Sequence, residues 1–344
     1  MATPEATESL EGPGYSRHRG VKVSNLGMGT YLGDSDDVTD ERYLESVEKA
    51  LALGCNVLDT AINYRNQRSE RVVGKVLDGY RRDEVFVATK GGFIPFDGDV
   101  PANPEEYLIE NYVEPGTVDP DEVVDTNCLT ADFIEDQFER SLDNLNTSYI
   151  DLYYVHNPET QLEQYEDNEV ERKLREVFEI LERKIEEGDL REYGVASWKA
   201  FRVPERHPKH MSIEKICRIA EKVSDGNPGF TSIQLPYNAK MTEAYSRETQ
   251  TVLGEKMSAF GAASELDFDV FVSASLMQGH LAESSPEILD RLGGSRIQRA
   301  LQFARSPPQV TSALVGSRTV DHVEENMRLL KESIIEEKRY RELF

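Results

Sequence analysis

"YIDLYYVHNPETQLEQYEDNEVERKLREVFEILERKIEEGDLREYGVASW", residues 149–198, decides the fold. It opens on a continuous apolar and aromatic run, Tyr149 to His156, of the kind found in strands buried on both faces. A polar turn follows. Leu174, Phe178, Leu181 and Ile185 then recur at helical spacing, and Gly188 stands where the helix should end. A second strand-like run closes on "GVASW". Strand, helix, strand with buried strands is the repeat of a parallel sheet.

The same alternation extends in both directions. Upstream, "SNLGMGT" leads into "DERYLESVEKALALG", where Tyr43, Val47, Ala50 and Leu51 share a helical face before Gly54. "NVLDTA" precedes "SERVVGKVLDGY", and "EVFVATK" precedes "TADFIEDQFERSLDNL". Downstream, "SIEKICRIAEKVS" follows the quoted stretch, and "TSIQLPYN" pairs with a helix around "SAFGAASEL". "FDVFVSASL" and "TSALVGS" come next, the last leading into "VDHVEENMRLLKES". Eight βα units predict a closed (β/α)8 TIM barrel. A doubly wound sheet is the competitor, but it has fewer repeats and opens on GxGxxG, and "LGMGTYLG" has the wrong spacing.

No low-complexity linker marks a boundary, so residues 1–344 are expected as one barrel domain, with 1–20 a flexible N-terminal segment. Residues 91–130 are about 40 where a βα loop is ordinarily two to six, which predicts a lid-like loop. The net charge of -25, from 39 Lys+Arg against 64 Asp+Glu, argues against nucleic-acid or anionic-membrane partners. Acidic residues spread along the chain predict a halophilic-like solvated surface. No run has the length of a membrane span and the first residues lack the order of a signal peptide, so a cytoplasmic protein is expected. Three widely spaced cysteines, Cys55, Cys128 and Cys217, form neither a disulfide framework nor a metal site. Composition leaves the oligomeric state open.

In such a barrel the active site lies where the strands end. Polar residues there are few: Asp59 after the second strand, Tyr64 in the loop beyond it, Lys90 after the third and His156 after the fourth. Each alone has a structural explanation, as a cap, a surface aromatic, a solvated strand end or a core histidine. Together they make a proton-donating site. A phenol can protonate a developing alkoxide if a nearby cation lowers its pKa. Lys90 supplies the cation, Asp59 holds Lys90, and His156 orients the substrate oxygen. A metal-dependent hydrolase would need ligands from several strand ends, and only His156 is so placed; no metal is expected.

"NVLDTAINY", "VATK", "DLYYVHNPE", "GVASW", "IQLPYN" and "ALVGSRTVDHVEEN", in this order, resemble the aldo-keto reductase family from about Asn25 to Leu330. The resemblance implies reduction of an aldehyde or ketone with NADPH, NADH remaining possible, and Asp59, Tyr64, Lys90 and His156 as the catalytic set. It further implies that Gly29 and Thr30 lie beneath the nicotinamide and that Ala196, Ser197 and Gln234 contact the carboxamide. The family's usual Ser-Asn pair reads Ala-Ser here, and the stacking aromatic corresponds to Ser273. Leu276, Gln278 and Gly279 would pass the pyrophosphate, and Gly316, Ser317 and Arg318 would begin the last helix. Arg318 would meet the 2'-phosphate, because Gly316 stands where many members carry lysine. Glu325 and Asn326 would hold the adenine. The two departures leave an alternative: a cofactor-binding regulatory or redox-sensing barrel with little turnover.

Overall fold

The longest helix, Asp167–Glu187, buries Val170, Leu174, Val177, Phe178 and Leu181 along one face and ends at Gly188, whose φ of 87° is the left-handed cap a Cβ would disfavour. That helix and the strands on either side of it are one of eight βα units in the computed structural model, which describes residues 1–284 and 286–344. The strands are β1 (Leu26–Gly29), β2 (Val57–Asp59), β3 (Phe86–Gly91), β4 (Ile150–His156), β5 (Leu190–Ala196), β6 (Phe230–Pro236), β7 (Asp269–Ser273) and β8 (Val310–Gly316). Each pairs in parallel with its sequence neighbours, and β8 returns to β1 to close the barrel. The helix after each strand is α1 (Asp37–Ala52), α2 (Arg68–Leu77), α3 (Ala131–Leu145), α4 (Asp167–Glu187), α5 (Ile213–Val223), α6 (Ala259–Glu265), α7 (Arg296–Arg305) or α8 (Val320–Met327).

The core has two parts. Outward-facing strand residues pack against the helices. The barrel interior holds a smaller cluster that includes Val57, Phe86, Ala88, Leu152, Tyr154, Phe271 and Leu314. Continuous apolar strands are needed because each strand feeds both parts.

Residues 1–20, expected as a flexible segment, instead carry regular structure. A hairpin, Tyr15–His18 with Val21–Ser24, lies against the barrel, and Val21 and Val23 enter the interior cluster. Ala2 N donates to Asp151 Oδ1 at 2.6 Å. His18 is fully buried beside Phe86 and Phe271, paired to Glu192 and with its Nδ1 3.0 Å from Asp269 Oδ2. These strands were missed because they are short and rich in polar residues.

Residues 91–130, expected as a lid-like loop, carry short regular elements. They hold a helical turn at Pro104–Leu108, a π turn at Ile109–Val113 and a short hairpin, Val123–Val124 with Asn127–Cys128. Tyr112 is buried and donates to Pro95 O at 3.0 Å, with its ring near Phe133 on α3. The last helix is shorter than the apolar pattern suggests: α8 stops at Met327 and continues as a tighter turn, Arg328–Lys331.

Candidate active site

At the ends of the strands opens a cavity of about 740 Å³. Its inner polar centre is built on β2 and β3. Lys90, last but one in β3, is fully buried; its Nζ donates to Asp59 Oδ1 and to Thr60 O, each at 2.7 Å. Asp59 Oδ2 accepts from Gln234 Nε2 on β6 at 2.8 Å. A buried ammonium is tolerable when paired and hydrogen-bonded. Burial works against the Lys90 charge, but Asp59 and Tyr64 outweigh it and push the pKa up, so Lys90 is cationic.

Tyr64 stands over this pair, with Lys90 Nζ 4.7 Å from the ring centroid. The sequence reading expected a phenol made more acidic by Lys90. The structure corrects this: burial raises the Tyr64 pKa, and the pull of Lys90 offsets it only in part. The phenol is therefore protonated at neutral pH, which is the form a proton donor requires.

His156, at the end of β4, has its ring centroid 6.0 Å from that of Tyr64. Burial and then the Lys90 charge push its pKa well below the ordinary 6.5, so the imidazole is neutral. Its Nδ1 is buried without a partner. The long segment after β3 supports it from behind, for Asn127 Nδ2 donates to His156 O at 3.0 Å. Gly92, with φ of 143°, allows that approach; a Cβ there would stand 2.8 Å from the same oxygen. Of residues 91–130, Phe93 alone among the described residues lines the cavity, edge-on to His156 with centroids 5.1 Å apart.

The remaining expected residues are mostly brought together. Gly29, Thr30, Ala196, Ser197 and Gln234 line the cavity near the centre, and Ser273, Leu276, Gln278 and Gly279 line it from the loop after β7. Gly316, Ser317, Arg318 and Asn326 line it from the end of β8, the turn that follows and α8. Gly316 closes β8 and the helix starts only at Val320, so Gly316 to Arg318 form a connecting turn and do not begin the helix as expected. Ser197 Oγ donates to buried Glu159 Oε1 at 2.7 Å and accepts from Ala200 N at 2.7 Å. What it offers the cavity is a remaining lone pair.

Glu325 is the exception. Its carboxylate accepts from Ser295 Oγ, at the start of α7, at 2.6 Å, and it does not line the cavity. One residue of helix turns the side chain about 100° away from Asn326. Lys90 also lies below the lining, reaching it through Asp59 and Tyr64.

Sequence reasoning missed several lining residues. Tyr31 packs edge-on to Tyr64 at 4.9 Å, and Asn157 holds Trp198 N through its Oδ1 at 2.9 Å. Arg42 and His322 line the cavity from α1 and α8. Asn157 had a signal in its position directly after His156; Arg42 looked like any helix-surface arginine.

The family model described as Aldo/keto reductase family matches residues 25–343. The chain is similar to the uncharacterized oxidoreductase YqkF of Bacillus subtilis, 23% identical over 90% of this chain and 87% of that one. It is also similar to a putative voltage-gated potassium channel subunit beta of Schizosaccharomyces pombe, 21% identical over 91% of this chain and 86% of that one. Among solved structures, an aldo/keto reductase from Klebsiella pneumoniae in complex with NADP and acetate superposes with a TM-score of 0.64 at 19% identity, covering 97% of this chain and 94% of that one. Among the described residues, no helix is long and apolar enough to cross a membrane.

Proposed function

The chain belongs to the aldo/keto reductase family, and on that premise we propose that it reduces an aldehyde or ketone with NADPH in the cytoplasm, Tyr64 donating the proton. The observation that carries this reading is the buried Asp59–Lys90 pair set beneath a protonated Tyr64 and beside a neutral His156. Asn326 supports a fit to the cofactor: its Oδ1 is buried, without a partner, in a residue that lines the cavity from α8, as an acceptor for an adenine amino group would be.

A bound reduced nicotinamide supplies the hydride. The chain's own residues do the rest. Lys90 places positive charge against the phenol, which favours Tyr64 as it gives up its proton. Asp59 keeps Lys90 charged and pointed, and Gln234 holds Asp59. The neutral His156 imidazole orients the carbonyl oxygen toward the Tyr64 hydroxyl. Tyr31, Phe93 and Trp198 wall the cavity around Tyr64 and His156, which suits an apolar or aromatic carbonyl compound better than a charged one.

A panel of aromatic and aliphatic aldehydes, ketones and sugars, followed by loss of NADPH absorbance, tests the reading. Turnover with at least one aldehyde is expected, and Tyr64→Phe should lower kcat by orders of magnitude while leaving cofactor affinity intact. Undiminished turnover in that variant removes Tyr64 from the role. The absent stacking aromatic at Ser273 favours a second reading, a regulatory barrel that binds cofactor and turns over slowly. Cofactor binding without measurable oxidation across the panel would select it.

A further inference from the structure

The side of the cavity formed by α1 and the turn after β8 carries two guanidinium groups that the proposed function has not used. Arg42 on α1 and Arg318 in the turn after β8 are both exposed and both line it. Among the described residues, neither makes an ion pair or a side-chain hydrogen bond. Three cations on the neighbouring helix faces are paired: Arg65 with Asp40, Arg68 with Asp37 and Asp40, and Lys49 with Glu324. In a chain with 64 acidic and 39 basic residues, carboxylates are in excess. Against that excess, two arginines without a carboxylate partner line one concave site.

The fold explains how two arginines from distant parts of the chain meet. Lys49 on α1 bonds Glu324 on α8, and Arg42 lies seven residues before Lys49, on the same helical face. The α1 face that bears Arg42 thus looks toward α8, at the level where α8 begins. Arg318 leans the other way. Gly33, in the turn before α1, has φ of 115°, and a Cβ there would lie 3.2 Å from both Cδ and Nη1 of Arg318. The Arg318 stem rests on the turn that leads into Arg42's helix. Beside them Asn326 donates through Nδ2 to Ser317 Oγ at 2.8 Å and keeps its buried Oδ1 unpartnered.

We propose that Arg42 is a second phosphate ligand, supplied by the first βα unit, which together with Arg318 clamps the 2'-phosphate of NADPH and makes this chain selective for the phosphorylated dinucleotide. The inference rests on the cofactor reading above. Two forked guanidiniums matched to one phosphomonoester provide both charge and bidentate geometry, and a ribose 2'-hydroxyl gives them nothing to bind. Arg42 replaces by position the lysine that Gly316 does not supply.

Calorimetric titration at fixed salt tests it, using NADP+ and NAD+, and 2',5'-ADP against 5'-ADP to probe the adenosine end alone. Arg42→Ala should weaken NADP+ and 2',5'-ADP by about tenfold while leaving NAD+ and 5'-ADP unchanged. Arg42→Lys should recover part of the loss, and Arg42→Ala with Arg318→Ala should lose more than either alone. Equal losses for phosphorylated and unphosphorylated ligands, or no loss at all, overturn the role of Arg42 while the nicotinamide reading stands. Wild-type protein that binds none of the four overturns both.

Discussion

Gln234 on β6 reaches across the strand ends to donate its side-chain amide to Asp59 Oδ2 at 2.8 Å, while Lys90 takes Oδ1 at 2.7 Å. Asp59 is thus fixed from two sides, and the residue expected to face the nicotinamide carboxamide also holds the proposed Asp59–Lys90 pair. With its nitrogen committed to Asp59, Gln234 presents its oxygen to the cavity. Both it and Ser197 Oγ are then acceptors, suited to an amide NH2 group.

Replacing Gln234 by Leu removes that donor from a buried carboxylate and keeps the volume. Loss of a hydrogen bond to a charged group should cost about 1.5–3 kcal/mol. Urea unfolding should show a lower midpoint, and kcat should fall because Asp59 no longer fixes Lys90. An unchanged midpoint would mean that the bond contributes nothing.

His18 provides a pH test far from the chemistry. Burial opposes its charge, but Glu192 and Asp269 outweigh it and raise the pKa from 6.5 to about 9. A raised histidine contributes stability that is fully present below the unfolded value and is lost as pH rises through the folded one. The linkage amounts to roughly 3 kcal/mol, lost between about pH 6.5 and 9. His18→Gln should be less stable than wild type at pH 6 and should approach it near pH 10. Parallel urea-midpoint curves for the two proteins over that range would rule out a charged His18.

Most of the barrel was legible because each strand feeds two apolar surfaces and each helix has one apolar face, so the period of the pattern reports the element. The clustering of Asp59, Tyr64, Lys90 and His156 was legible because a strand end is a fixed place in this fold. The N-terminal hairpin was not, since its strands are four residues each and His18 is polar in sequence yet buried by charges from Glu192 and Asp269. Arg42 was equally hidden. Its proposed role depends on α1 lying beside α8, and nothing local to residue 42 encodes that.

The charge of -25 on this chain repels itself over distances that salt screens, the Debye length falling to about 3 Å at 1 M. Many acidic side chains are engaged in surface pairs, such as Arg183 with Glu135 and Lys215 with Glu171, but the excess of carboxylates leaves the net repulsion in place. The melting temperature should rise from low to molar KCl. A flat melting temperature would show that the acidic surface needs no screening.

Trp198 is the only tryptophan in the chain, and it lines the cavity while 42% exposed. Its backbone is fixed by Asn157, directly after His156, and its neighbour Ser197 is tied to Glu159. A plug at the barrel rim would be buried by packing; a ring this exposed has a face left for a ligand. A reduced nicotinamide accepts indole emission, so NADPH bound between Ser197 and Gln234 should quench Trp198 strongly and gain sensitised emission of its own. Arg42→Ala should shift the quenching curve to higher NADPH without changing its end point, because it weakens the distant phosphate and leaves the nicotinamide where it was. Saturable binding by calorimetry with unaltered Trp198 emission would place the nicotinamide away from β5 and β6 and withdraw the roles given to Ser197 and Gln234.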